Sequence, residues 1–197
     1  GQSVEAKTMN KQISVVALAA AHTAAIVAIG YVLLGLVPMA LFAFGFVGGL
    51  AIWLVARDEA AFADIRLPYF LTLGFFVLHK IEERELDFFP ALSQLTGVPV
   101  PQEGSPLAIL LYVLAAAWLL VPFLMLRRYS FGHYLAWTFF VSMGVIELAH
   151  FIFPLFEDRP YGYFPGMATV VPLAPAAWWG LYRMLVPATT DRTKRAS

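Results

Sequence analysis

Residues 69–78 read YFLTLGFFVL, an apolar run with a single threonine, and residues 79–85, HKIEERE, end that run with ionisable side chains. A second largely apolar stretch ends in the same way at residues 147–150, ELAH. Apolar runs of this kind are typical of helices that cross a membrane, where ionisable side chains are costly and usually serve a function. The two interruptions therefore indicate a buried polar site.

The composition is that of an integral membrane protein. Hydrophobic residues make up 60% of the 197 residues and charged residues only 13%, with a mean hydropathy of +0.75; soluble domains contain about 45–50% apolar residues. The formal net charge is zero, and no basic stripe with interleaved aromatic residues is present, which argues against a nucleic-acid partner. Because the chain has no cysteine, any metal must be bound through nitrogen and oxygen.

The hydropathy pattern predicts an all-α, polytopic membrane bundle of about six transmembrane helices. The predicted spans are residues 12–37, 39–56, 67–88, 107–126, 131–153 and 167–186. Together they form one domain, residues 12–186, between a polar N-terminal tail, 1–11, and a basic C-terminal tail, 187–197. Three small residues in the second span, Gly45, Gly48 and Gly49, predict close packing against a neighbouring helix.

Basic residues predict the orientation of the bundle, since cytoplasmic loops of membrane proteins carry an excess of lysine and arginine. With both termini in the cytoplasm, that side collects Lys7, Lys11, Arg57, Arg66, Arg127, Arg128, Arg183, Arg192, Lys194 and Arg195. The opposite, outer side then collects the acidic residues Asp87, Glu103, Glu157 and Asp158. We therefore expect a multi-pass protein of the cell membrane with cytoplasmic N- and C-termini.

Two groups of histidine and glutamate share helix faces. Glu82 and Glu83 follow His79 by three and four residues, and His150 follows Glu147 by three. Residues at these spacings lie on one side of a helix. Each group thus presents its polar side chains together.

The two groups are also matched in depth. Glu83 lies seven residues before Pro90, and Glu147 lies seven residues before Pro154. Because the third and fifth spans run in the same direction, both groups are expected about 10 Å inside the outer helix ends. The sequence therefore predicts one shared site in the outer half of the bilayer.

Histidine and glutamate on facing helices are the ligands of metal sites in helical bundles. The candidate ligands are His79, Glu82, Glu83, Glu147 and His150, with Asp87 or Asp158 as a possible sixth. Two ions require about six protein ligands, whereas one catalytic zinc requires three and an open position. In the second arrangement His79, Glu83 and His150 would bind the ion, and Glu82 or Glu147 would act as the general base. Iron and zinc both accept these ligands, so one or two ions of either remain open.

Three further features bear on this site. His22, inside the first span, is a possible additional member, whereas His133 lies near the inner interface and is excluded. Residues 161–166, YGYFPG, predict a turn that covers the site from outside.

The pentapeptide at residues 79–83, HKIEE, resembles the H-x-x-E-E motif that names a family of small bacterial integral membrane proteins. Glu147, His150 and the segment YFPGMAT at residues 163–169 resemble a later histidine-containing helix of that family and the Tyr/Pro-Gly segment before its final span. The resemblance covers residues 68–186. It implies a bacterial inner-membrane protein with a metal site, and it implies no particular reaction.

The leading functional hypothesis is a membrane enzyme with a His/Glu metal centre that acts on a lipid or another apolar substrate. Two irons would favour oxygen-dependent oxidation, and zinc would favour hydrolysis or isomerisation through an activated water. Without a metal, Glu82, Glu83 and Glu147 would serve as acid and base. The rival hypothesis is a proton- or metal-ion-coupled transporter that uses the same cluster, although the chain lacks the internal repeats common in carriers. A small scaffold or sensor protein is the third.

Overall fold

The computed structural model of the chain describes residues 2–56, 58–102 and 104–187, with side chains from residue 13 onward. This part of the chain is helical without strands, which confirms the predicted all-α fold. Arg57, Glu103 and residues 188–197, on which part of the predicted orientation rests, lie outside the described residues. The helices are α1 (Gln2–Leu34), α2 (Leu36–Val55), α3 (Phe62–Glu85), α4 (Phe88–Thr96), α5 (Pro106–Ala115), α6 (Val121–Leu126), α7 (Ser130–Val141) and α8 (Met167–Leu185).

Among the described residues, five stretches are long and apolar enough to cross a membrane: Ile13–Leu34, Leu36–Val55, Phe62–Glu85, Pro106–Leu126 and Ser130–Phe156. The last two, called here the fourth and fifth spans, join consecutive helices through turns of 3₁₀ or π geometry. The sixth predicted span corresponds to α8, which has 19 residues and is not one of the five. A helix of that length is still about 28 Å long and reaches across most of the bundle.

Helices α3 and α8 pack antiparallel to each other. At one end the Thr169 amide donates to the Glu82 carboxylate at 2.8 Å, and at the other end Arg183 lies 3.7 Å from the Asp64 carboxylate. The end that carries Glu82 and Thr169 also carries α4 and the end of the fifth span, and we call it the α4 end.

Helix α4 was not predicted, because residues 89–106 were expected to form only the connection between the third and fourth spans. The third span also ends earlier than expected, at Glu85 rather than residue 88. Asp87 explains both differences, since its left-handed conformation, φ 58°, stops α3 and redirects the chain into α4. Leu92 on α4 is buried, so this helix covers the bundle rather than extending into solvent.

Two prolines inside spans free backbone carbonyls, and side chains from neighbouring helices donate to both. Pro68 cannot donate to the Asp64 carbonyl, which accepts instead from Arg183 Nε at 3.3 Å. Pro122 cannot donate to the Trp118 carbonyl, which accepts from the Val121 amide of the 3₁₀ turn and from the Tyr69 hydroxyl at 3.0 Å. Backbone groups at membrane depth need such partners, because lipid supplies none.

The predicted small-residue contact of the second span involves Gly49, which lies directly against α7. A Cβ atom on Gly49 would come within 2.7 Å of the Thr138 Cα and 2.9 Å of its amide nitrogen. Real Cβ atoms do not approach backbone that closely, so α2 and α7 can meet here only at a glycine.

We expect Gly49→Ala to lower the free energy of unfolding by about 1–3 kcal/mol, the usual cost of overpacking a tight contact. Thermal unfolding in detergent, followed by circular dichroism, measures this change. Gly74→Ala is the matched control, because a Cβ there meets nothing within 4 Å and alanine is the better helix former. Equal melting temperatures for the two variants would contradict the predicted contact.

Candidate metal centre

The fifth span leaves α-helical geometry just before its polar residues. After α7, residues Ser142–Ile146 form a π turn and Glu147–Phe151 a 3₁₀ turn. In a 3₁₀ helix residues three apart are eclipsed, so Glu147 and His150 lie directly above one another. The Gly144 carbonyl in the π turn accepts from Trp178 Nε1 of α8 at 2.6 Å, which stabilises the distortion.

Four of the five predicted ligands meet at the α4 end, two from α3 and two from the fifth span. His79 Nε2 lies 3.2 Å from Glu83 Oε1 and 3.2 Å from Glu147 Oε2. His150 Nε2 lies 3.4 Å and 3.2 Å from the same two oxygens. All four ligand atoms lie within 4.8 Å of one another. We call these four residues the cluster.

The cluster is buried, although not uniformly. The His79 side chain is 0% exposed, His150 3%, Glu83 7% and Glu147 14%. Lys80 lies beside it and places its ammonium 2.6 Å from Glu83 Oε2. Glu83 therefore presents one oxygen to the cluster and the other to a lysine, whose charge offsets one of the two carboxylates.

The outer nitrogens of both histidines contact the segment of residues 163–169, which joins the fifth span to α8. His150 Nδ1 lies 2.6 Å from the Pro165 carbonyl oxygen, and His79 Nδ1 lies 2.9 Å from Thr169 Oγ1. A carbonyl only accepts, so His150 must carry its hydrogen on Nδ1. Its Nε2 therefore faces the two carboxylates either as a lone pair or as a second N–H.

Glu82, predicted as a ligand or base, lies outside the cluster. Its carboxylate accepts from the Ala168 amide at 3.1 Å, the Thr169 amide at 2.8 Å, the Thr169 hydroxyl and the Tyr163 hydroxyl. These donors belong to the first turn of α8 and the loop before it, where the helix dipole also favours an anion. Burial and the neighbouring carboxylate raise the pKa of Tyr163 to about 12, so its phenol remains a donor.

Aromatic rings enclose the cluster on the side of α4. The centroids of Phe88, Phe153 and Phe164 lie 5.0, 5.7 and 6.3 Å from that of the His150 ring. The turn at residues 161–166 therefore covers the site, as the sequence predicted, with Phe164 fully buried beneath it.

The remaining candidates lie elsewhere. His22 contacts the Tyr134 hydroxyl at 2.8 Å and the Leu114 carbonyl at 2.9 Å within the bundle. His133 contacts the Ala60 carbonyl at 2.9 Å near the opposite end. Asp87 lies in the turn before α4, and Asp158 lines a cavity at the α4 end. None of them belongs to the cluster.

The residues that surround the cluster were not predicted individually. Lys80 was only one of the ionisable residues that end the apolar run, Pro165 was part of the predicted turn, and Thr169 appeared only within the resemblance to the H-x-x-E-E family. A usable signal was present, because a threonine in the first turn of α8 lies opposite the end of α3 in any antiparallel pairing of these helices.

Gly166 is required for two reasons, which a pair of variants separates. Its φ is +98°, and a Cβ there would lie 2.5 Å from His150 Nδ1 and 2.8 Å from His79 Cε1. Gly97, with φ +69°, has nothing within 4 Å. In both alanine variants the positive φ costs about 1–2 kcal/mol of stability. We expect thermal unfolding to show a clearly larger loss of stability for Gly166→Ala, because its Cβ also collides with the two histidines. Equal losses of stability in the two variants would contradict this close contact.

The comparisons with known proteins return nothing: no family model, no curated protein and no solved structure matches this chain.

Proposed function

We propose that the protein is an integral-membrane enzyme that uses one divalent metal ion bound by His79, Glu83, Glu147 and His150. The observation that carries this proposal is the set of four nitrogen–oxygen separations in the cluster, 3.2, 3.2, 3.2 and 3.4 Å. Charge-assisted hydrogen bonds are shorter, about 2.7–2.9 Å. Ligands around a tetrahedral ion with bonds of about 2.0–2.1 Å are about 3.3–3.4 Å apart. The four nitrogen–oxygen separations therefore match a ligand shell better than an ion-pair network. The set as a whole is wider than a regular tetrahedron, since its atoms spread up to 4.8 Å, so the ligands would draw together around an ion.

The number of ligands favours one ion over two. A two-ion carboxylate site in a bundle uses about six protein ligands, and the described residues bring four together. Glu82, the fifth candidate, is occupied by the hydrogen bonds of α8. Asp87 and Asp158, the possible sixth ligands, lie outside the cluster.

Zinc or iron at this position would act as a Lewis acid and lower the pKa of a coordinated water. A catalytic ion needs an open position for water, so Glu147 would give up its coordination when water enters and would then serve as general base, because it is the most exposed of the four. His79, Glu83 and His150 would keep the ion. In hydrolysis the water oxygen would join the acyl carbon, the bond from that carbon to the leaving atom would break, and Glu147 would pass the water's proton to the leaving atom. In an isomerisation Glu147 would instead take a proton from one substrate carbon and return it to another.

A lipid or lipid-like substrate fits the surroundings of the cluster. Leu78 and Ile81, which flank His79 and Glu83 on α3, are each 51% exposed on the apolar surface of the bundle. A cavity of about 870 Å³ opens at the α4 end, lined by polar and apolar residues that include Gln94, Arg159, Tyr163 and Pro165. Pockets of this size hold small-molecule ligands. None of the four cluster residues lines this cavity, which borders the cluster through Pro165. We propose that an acyl chain lies along α3, with its headgroup in the cavity and its acyl carbon at Glu147.

We further propose that the protein belongs to the H-x-x-E-E family, lies in a bacterial inner membrane and has its site toward the outer face. The second candidate function is oxygen-dependent oxidation, because two histidines and one carboxylate are also the ligand set of non-haem iron oxygenases.

The transporter hypothesis is weaker, since both histidines are held in place by hydrogen bonds on their outer nitrogens.

Elemental analysis of protein purified without added metal tests the centre directly. We expect about one equivalent of zinc or iron per chain, as a single four-ligand site requires, and background levels in His79→Ala and in His150→Ala. His22→Ala is the control, because His22 is similarly buried but lies outside the cluster. Metal-free wild type, or metal retained in both cluster variants, would overturn the proposal.

Incubation with vesicles of a bacterial total-lipid extract tests the chemistry. We expect mass spectrometry to show a metal-dependent product that has gained one water or has isomerised. Glu147→Gln should slow its formation by about 10²–10⁴-fold, the usual contribution of a general base, whereas Glu85→Gln, an exposed carboxylate at the end of α3, should not.

Gain of an oxygen atom or loss of two hydrogens would instead identify the oxidation. If sealed vesicles that contain the protein take up cations and no lipid product forms, the enzyme proposal is wrong and the transporter hypothesis is supported.

A further inference from the structure

Residues 163–169 contact the outer nitrogen of both histidines. Pro165 accepts from His150 Nδ1 through its carbonyl, and Thr169 meets His79 Nδ1 through its hydroxyl oxygen at 2.9 Å. The two histidines belong to different helices, α3 and the fifth span, yet the same short segment fixes both rings.

The hydrogen bonds around Thr169 have a definite direction. Its hydroxyl lies against Glu82 Oε2, and a carboxylate only accepts, so the hydroxyl is the donor. The Gly166 carbonyl, 3.3 Å away, is the more distant acceptor. With its hydrogen committed to Glu82, Thr169 Oγ1 accepts from His79, which must therefore carry its hydrogen on Nδ1. The chain of donors runs from His79 through Thr169 to Glu82.

Glu82 is itself fixed on several sides. Two amides of α8 and the Tyr163 hydroxyl donate to it, in addition to Thr169. The carboxylate is therefore saturated on the side of α8 and is directed away from the cluster.

We propose that residues 163–169, together with Glu82, form the outer shell of the metal centre. In this arrangement Glu82 is a positioning residue that acts on His79 through Thr169, and it is neither a ligand nor a base. Both histidines then present an Nε2 lone pair to the ion, and the docking of α8 on α3 becomes part of metal binding. This inference rests on the proposed metal site and adds to it the residues that orient its histidines.

The test removes one link of the chain without changing its shape. Thr169→Val replaces the hydroxyl with a methyl group, so His79 Nδ1 loses its acceptor. We expect the affinity for zinc, measured by competition with a chromophoric chelator, to fall by about 10–100-fold, as outer-shell changes do at other metal sites. Thr169→Ser, which retains a hydroxyl, should restore most of the affinity.

Thr72→Val is the matched control for a general loss of packing. Thr72 is a fully buried threonine on α3 whose hydroxyl donates to the Pro68 carbonyl at 2.7 Å, and it does not contact the cluster. Its valine variant should bind zinc as the wild type does. Equal losses in Thr72→Val and Thr169→Val would overturn the inference.

Cobalt substitution gives a readout that a purely structural role would not change. In the cobalt-loaded wild type, the two Nδ1 hydrogens should appear as paramagnetically shifted, solvent-exchangeable proton resonances that exchange slowly. In Thr169→Val the His79 resonance should be lost through rapid exchange, whereas the His150 resonance should persist because Pro165 is unchanged.

The outcomes separate the two proposals. A wild type that binds metal together with a Thr169→Val variant that keeps its affinity and both resonances would overturn the outer shell and leave the metal centre standing. A wild type that binds neither zinc nor cobalt would overturn both.

Discussion

The structure depends on how two carboxylates, Glu83 and Glu147, are accommodated at one end of an apolar bundle. A buried charge without a partner is far more costly than any single packing contact in this protein. Lys80 offsets one negative charge at 2.6 Å from Glu83, and two histidine nitrogens face the remaining oxygens. The metal ion that we propose would lie between those nitrogens and oxygens and complete the balance at the point where α3 and the fifth span meet.

Elsewhere, side chains of neighbouring helices donate to backbone carbonyls at three irregular points of the bundle. Arg183 donates to the carbonyl four residues before Pro68, Tyr69 to the one four residues before Pro122, and Trp178 to the π turn before Glu147. Membrane helices can deviate from α geometry only where such donors exist. The π turn matters most, since it changes the rotation of the fifth span immediately before its two polar residues.

Much of this arrangement could be predicted. Hydropathy located the long helices within a few residues, and the two His/Glu groups do meet, as the distances from Pro90 and Pro154 suggested. The predicted depth was wrong for α3, because Glu83 lies two residues from the end of this helix rather than about 10 Å inside it, and Pro90 belongs to α4. Helix α4 was missed because nine residues are too short for a hydropathy window and its start depends on the left-handed Asp87. The hydrogen-bonded partners of the histidines were missed because they lie 15 and 90 residues away in the chain.

Composition and helical periodicity were sufficient for the membrane class, the long helices and the two groups of ionisable residues, because these properties are local to a stretch of about 20 residues. Which carboxylates converge was decided only by tertiary structure. Glu82 and Glu83 are equivalent by spacing from His79, yet about 100° of helix rotation separates them. The packing of α3 between the fifth span and α8 therefore directs Glu83 to the cluster and Glu82 to the start of α8.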